Sequence, residues 1–410
     1  MRAISKFLLL LPVLALVAAP ARAAAPGPAG DAFYQPPALG PGAHGDLIWA
    51  RPLTGPAALP DAARNVLVLY RTTGVDGSGV AVSGTVAIPP GSPPPGGWPV
   101  LTWAHGTTGD APPCAPSRDV PGGPMNGYFR IVDGLLDDYV KRGYAVVQTD
   151  YEGIGTPGVH PYLVGTAEAR DVVDIVRAAR QVDARIGTRY LVIGHSQGGQ
   201  SALFAAAQGP AWAPELSLIG TVALAPASHL VAFLQNLPTR TTPDLAFGFA
   251  GLLIRGFAAV DPAIRLDRLF AATSAPMQTE LARDCVPDLM ESDSWAGLVP
   301  AQTFAPGADL GPLLKLAAEN DPGTLHLAGS TLVVQGTADR TVPPIATDLL
   351  DAELCTNGAA ITYDPVADAN HISVLTASEN TVRAWIDDRF AGIPAAPNCG
   401  DAPHAGGAAR

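Results

Sequence analysis

The residues most able to do chemistry in this chain lie in Gly194-His195-Ser196-Gln197-Gly198. The pattern is Gly-x-Ser-x-Gly, which places a serine on a sharp, strained strand-to-helix turn. Small residues two before and two after the serine keep side chains from clashing at that turn, and Gly199 adds a third glycine. Tyr190-Leu191-Val192-Ile193 leads in as a buried strand, and a helix follows from about Ser201 to Ala207. A serine hydroxyl is a weak nucleophile unless a base, usually a histidine held by a carboxylate, takes its proton. In a nucleophile elbow the chain order is serine, acid, histidine. Four histidines follow Ser196: His229, His326, His371 and His404. His371 lies in Asp368-Ala369-Asn370-His371-Ile372-Ser373, a loop between the last strand and the last helix, where a base is required. His229 reads as a pocket residue, His326 precedes a strand, and His404 lies in a Gly/Ala tail. Asp339, in the loop Gln335–Pro343 after a strand, is the expected acid, with Asp364 and Asp368 as competitors one strand later. The bland role for Asp339 is a helix N-cap.

A tetrahedral intermediate carries an oxyanion, which needs preorganised N–H donors. The Gln197 N–H directly after the nucleophile is one. Thr107 N–H, in His105-Gly106-Thr107-Thr108 after strand 98–104, is the second, and its hydroxyl is available as a third donor. His105 is expected to orient that loop by hydrogen bonding rather than to transfer protons.

These groups need a scaffold. Segments 66–70 and 80–88 read as a hairpin around Gly74–Gly79, followed by strands at 98–104, 144–150, 190–193, 218–224, 332–334 and 360–363. Helices are expected at 128–142, 166–183 and 374–390. Strands that alternate with helices imply parallel pairing with right-handed crossovers. Their continuous apolar runs imply burial on both faces. The leading hairpin makes the sheet mixed at one edge. Residues 229–325 interrupt the alternation with apolar runs such as Phe247–Ile254, and read as an inserted helical cap. The expected organisation is a signal peptide (1–23), an extended N-terminal arm (24–60), a core in two parts (61–228 and 326–392), the cap between them (229–325), and a tail (393–410).

The chain resembles the secretory lipase family of α/β-hydrolases over residues 60–390. The likeness rests on His105-Gly106-Thr107, Asp150–Gly158, His160-Pro161-Tyr162-Leu163, Asp174-x-x-Arg177-Ala178-Ala179 and Gly-His-Ser-Gln-Gly-Gly. The resemblance implies carboxylic ester hydrolysis, a helical cap and a triad of Ser196, Asp339 and His371, with no metal or organic cofactor. The Asp150–His160 segment carries no chemistry of its own, and should shape one wall of the site.

Composition limits the alternatives. Hydrophobic residues are 48% and charged residues 15% of the 410, enough for a sizeable core and unlike a disordered chain. The net charge of −12, with no basic cluster, opposes nucleic-acid binding. Met1-Arg2 and Lys6, an apolar run from Phe7 to Ala19 and Ala21-Arg22-Ala23 form a cleavable export signal, so a secreted or periplasmic protein without a stable membrane span is expected. The four cysteines then suggest two disulfides, Cys114–Cys285 and Cys355–Cys399 being favoured among three pairings. The substrate is expected to be a lipid or other apolar ester, met at a lipid–water interface through the cap. Rival readings are a short-chain esterase, a peptidase or acyltransferase with the same triad, and a silent binding protein on a hydrolase scaffold.

Overall fold

A computed structural model describes residues 25–399. The expected signal peptide and His404 lie outside these residues. Ten strands form one sheet: β1 (Ala25–Pro26), β2 (Leu47–Pro52), β3 (Arg64–Thr73), β4 (Gly79–Ile88), β5 (Trp98–Ala104), β6 (Ala145–Thr149), β7 (Ile186–His195), β8 (Ser217–Leu224), β9 (Ser330–Gly336) and β10 (Ala360–Val366). Their spatial order is β1-β2-β3-β4-β6-β5-β7-β8-β9-β10. β2, β3, β4 and β6 pair antiparallel in succession, while β6 through β10 are all parallel. The fold is the α/β-hydrolase architecture that the sequence leads one to expect.

Helices α1 (Asn126–Lys141), α2 (Gly165–Val182) and α3 (Gln197–Trp212) follow β5, β6 and β7. Each is amphipathic or buried for a clear reason. On α2, Val172, Val173, Ile175 and Val176 recur toward the sheet and are fully buried. The central β7 is apolar on both faces because helices cover both: Tyr190 and Val192 belong to one core cluster, and Leu191 and Ile193 to the other.

Between β8 and β9 the chain leaves the sheet and forms α4 (Leu230–Asn236), α5 (Ala246–Val260), α6 (Leu266–Leu269), α7 (Val286–Leu289), α8 (Pro300–Thr303) and α9 (Gly311–Glu319). These pieces have their own core, built on Phe247, Leu252, Phe257, Trp295 and Phe304, and it is continuous with Tyr162, Leu163 and Val164. Three ties fasten them to the loop after β5. The Cys114–Cys285 disulfide is one. Val286 N–H donates to Thr108 O at 2.9 Å, and Arg255 Nε–H donates to the buried Asp110 at 3.2 Å.

Two parts differ from expectation. The N-terminal arm does more than wrap the surface: β2 extends the sheet edge against β3, and Phe33 and Tyr34 are buried against Leu67 and Leu69. The closing helix is broken at Ser378 into α11 (Ser373–Ala377) and α12 (Glu379–Phe390), and α10 (Pro344–Thr356) stands between β9 and β10. At the far edge, Asn398 brackets Tyr363 of β10, accepting its N–H at 2.7 Å and donating to its carbonyl at 3.0 Å. Asn398 N–H also donates to Ile361 O at 2.9 Å. The Cys355–Cys399 disulfide holds that segment in place. Both favoured pairings are present.

Candidate active site

The loops at the carboxyl ends of β5, β7, β9 and β10 converge, as sites in open α/β sheets do. Ser196 stands between β7 and α3 at φ 58°, ψ −118°, a strained conformation that its surroundings must enforce. Two glycines make that possible. A Cβ on Gly194 would lie 1.8 Å from Gly198 O, and one on Gly198 would lie 1.8 Å from Ala104 O. No other residue fits at either position, which is the physical content of the Gly-x-Ser-x-Gly pattern. Ser196 N–H is fixed by Leu224 O at 2.8 Å.

The His371 loop brings its Nε2 to 2.9 Å from Ser196 Oγ, and its Nδ1 to 2.7 Å from Asp339 Oδ2. Nδ1–H therefore donates to the carboxylate, and Nε2 accepts the serine proton. The Asp339 side chain is fully buried. Burial alone would raise its pKa, but the hydrogen bond from His371, the electrostatic pull of that ring and the N–H groups of Thr341 and Val342 hold it below the usual carboxylate range. Those N–H groups donate to Oδ1 at 2.8 and 3.0 Å, so Asp339 also ties its own turn, but it is not a helix N-cap, since the next helix starts at Pro344. His371 takes its carboxylate from Asp339 and not from Asp364 or Asp368. His229 and His326 lie elsewhere: His229 contacts Ser228 Oγ at 3.0 Å, and His326 contacts Asn357 O at 3.2 Å.

Thr107 and Ser196 line the same cavity of about 130 Å³, whose walls include Leu163, Leu230, Phe233, Phe249 and Val342. Gln197 opens α3, so its N–H is one of the helix's first, which have no intrahelical acceptor. Thr107 Oγ1 lies 2.7 Å from Tyr162 Oη. His105 is buried and its Nδ1 bonds Gly106 O at 2.7 Å. Burial pushes its pKa down to about 4, so it stays neutral. This is the loop-orienting place expected of it.

The segment after β6, whose chemistry the sequence does not announce, underpins the loops that carry Thr107 and Gln197. Tyr151 Oη–H donates to His105 O at 3.2 Å. Tyr162 meets Thr107. The buried Glu168 accepts from Gln197 Nε2 at 2.8 Å and from Leu163 N–H at 2.8 Å, and also receives Ser201 Oγ–H. His195 and Tyr128 are two further neighbours that the sequence did not mark. His195 Nε2 bonds His371 O at 2.8 Å, its Nδ1 lies 3.1 Å from Tyr128 Oη, and Tyr128 Oη accepts Gly106 N–H at 2.9 Å. No group of three or more His, Cys, Asp or Glu side chains suited to a metal occurs among the described residues.

Elbow, sheet and inserted helices together define an α/β-hydrolase. Residues 131–398 match the model of the secretory lipase family, and the chain belongs to that family. It is 26% identical over 356 residues to a Mycobacterium tuberculosis protein named a probable inactive lipase, covering 82% of this chain and 76% of that one. It is 29% identical over 220 residues to lipase A of Moesziomyces aphidis, covering 50% of this chain and 46% of that protein. Among solved structures, Candida antarctica lipase A in its closed state superposes with a TM-score of 0.74 at 19% identity, over 87% of this chain and 85% of that one. A ligand-bound rice cell wall degrading esterase LipA from Xanthomonas oryzae gives 0.67 at 20% identity, over 86% and 100%. At these identities the structures speak to the fold alone.

Proposed function

We propose that this chain is an exported serine hydrolase that cleaves carboxylic esters through an acyl-enzyme on Ser196. The observation that carries the reading is the unbroken line Ser196–His371–Asp339 opening into the cavity beside Thr107. His371 takes the Ser196 proton as Oγ attacks the ester carbonyl, and Asp339 holds the imidazole in the Nδ1–H tautomer. The N–H groups of Thr107 and Gln197 bind the oxyanion, with the Thr107 hydroxyl as a third donor. His371 then protonates the leaving alcohol, and water releases the acid. Residues 229–325 act as the cap over this site. The mycobacterial relative is named a probable inactive lipase; here Ser196 and Asp339 each lie within hydrogen-bond reach of His371.

The apolar walls favour an acyl chain over a charged group. An apolar cavity of about 150 Å³ accommodates one benzene, roughly six carbons. The present cavity, at about 130 Å³, is matched to a short acyl chain, and a long one requires the cap to move. The test has two arms. A fluorophosphonate should label the wild type and not Ser196→Ala; an unlabelled wild type refutes the mechanism. Rates on p-nitrophenyl esters should peak at about four to six acyl carbons. A peak at acetate, or at palmitate, contradicts the match of cavity to chain.

A further inference from the structure

The two halves of the catalytic apparatus, base and oxyanion loop, touch a common pair of side chains. Four groups lie in line: Gly106 N–H, Tyr128 Oη, His195 and the carbonyl of His371. Chemistry fixes the direction of every bond. A backbone N–H only donates and a backbone carbonyl only accepts. Gly106 N–H therefore donates to Tyr128 Oη, and His195 Nε2–H donates to His371 O. A neutral imidazole has one donor and one acceptor nitrogen, so His195 Nδ1 accepts the Tyr128 hydroxyl proton. No proton is left over and none is missing.

We propose that Tyr128 and His195 are positioning residues that couple the base loop to the oxyanion loop. Neither touches the reacting atoms. His195 holds the backbone of His371 in the irregular stretch between β10 and α11, and so sets where the imidazole meets Ser196. Tyr128 holds the peptide just before Thr107, and so sets where the oxyanion donor points. His195 also directly precedes the nucleophile. The elbow, the base and the oxyanion loop are thus registered through two side chains. This rests on the mechanism proposed above.

Three independent observations support it. A Cβ on Gly106 would lie 2.8 Å from Tyr128 Oη and 3.0 Å from His195 Nδ1, so the glycine is there because the pair presses against it. The rings of His195 and His371 stand 4.7 Å apart. His195 is buried, and burial, reinforced by His371, pushes its pKa down to about 3. The relay therefore keeps one protonation state over the whole range in which an ester hydrolase works, and adds no positive charge beside His371 as it takes up a proton.

The test combines kinetics with a signature independent of turnover. Tyr128→Phe removes the hydroxyl at both of its bonds while keeping the ring. It should lower kcat on p-nitrophenyl butyrate by about tenfold, leave KM within twofold, slow fluorophosphonate labelling in proportion, and melt within a few degrees of wild type. His195→Gln, whose amide offers one donor and one acceptor, should retain more activity than His195→Leu. The double variant Tyr128→Phe/His195→Leu should be no slower than His195→Leu alone, because both break one chain. A kcat within twofold of wild type for Tyr128→Phe, or multiplicative losses in the double variant, overturns the coupling. In parallel, ¹⁵N-histidine NMR of the wild type should show His195 as the Nε2–H tautomer, not titrating between pH 5 and 8; an Nδ1–H tautomer or a titration there overturns it even if His195→Leu does not fold. If the wild type neither labels nor hydrolyses esters, the serine mechanism fails, whereas the NMR arm still reads the relay.

Discussion

At the level of single residues, the Asp339 carboxylate does two jobs with two oxygens. Oδ2 receives His371 Nδ1–H, and Oδ1 receives the N–H groups of Thr341 and Val342. An amide in its place can present only one accepting oxygen. Asp339→Asn should keep its turn through Oδ1 and offer an N–H where His371 needs an acceptor, turning the imidazole to the wrong tautomer. The expected result is a fall in kcat of about 10⁴-fold with a nearly unchanged melting temperature, read by steady-state kinetics beside a thermal melt. Ser196, His371 and Asp339 were legible in sequence because elbow chemistry demands a fixed order and few histidines follow the serine. Tyr128, Tyr162 and Glu168 were not. Their contacts join residues 22 to 67 positions apart, and no local pattern announces a hydroxyl aimed at a distant loop.

Among the elements, α1 carries a charge problem on its flank. Asp137 is settled by Asp61 N–H at 2.9 Å and by Lys141. Asp133 is not: burial, then Asp119 and Asp137, push its pKa up to about 7 against the pull of Arg130. The unfolded value is about 3.9. The native state therefore binds more protons than the unfolded state between those two values, and stability falls as pH rises through that window. The penalty is complete above pH 7 and absent below pH 4. Asp133→Asn is neutral throughout, so its melting temperature should exceed wild type at pH 8 and match it at pH 3.5. Equal melts at pH 8 contradict this account. The strands were read closely from sequence because stretches buried on both faces are apolar, as in Tyr190-Leu191-Val192-Ile193 of β7. The element α10 was passed over because its buried side includes Thr347, Asp348 and Asp351, which look like a solvent face. Strand β2 was hidden by the Pro- and Gly-rich composition around it.

For the molecule as a whole, the disulfides close loops of very different length, with separations of 171 and 44 residues. Loop-closure entropy assigns each roughly 4–5 kcal/mol, the longer slightly more. Their functional weight is less even. Cys114–Cys285 joins the loop region after β5 to the helices inserted between β8 and β9, one residue from the bond between Val286 and Thr108, whereas Cys355–Cys399 lies at the far edge. Replacing either pair with serine should lower the melting temperature by several degrees. The Cys114/Cys285 variant should also lose most of its fluorophosphonate labelling rate below its melting point, and the Cys355/Cys399 variant should keep it. Equal labelling of the two contradicts a link between this tie and the Thr107 loop. Pairing was readable from sequence because four cysteines allow only three pairings, and the segment after the last helix needs an anchor.

The bracket that Asn398 forms around Tyr363 has a consequence for how copies of this protein behave in company. β10 is the last strand of the sheet, and an open last strand is a template for a neighbour's backbone. Asn398 occupies the N–H and C=O of Tyr363 and adds its own N–H to Ile361, so the peptide groups most available for recruitment are already taken. The disulfide beside it makes that occupation permanent under oxidising conditions. With those groups taken, Asn398 leaves less of this edge open for a second copy to extend sheet to sheet.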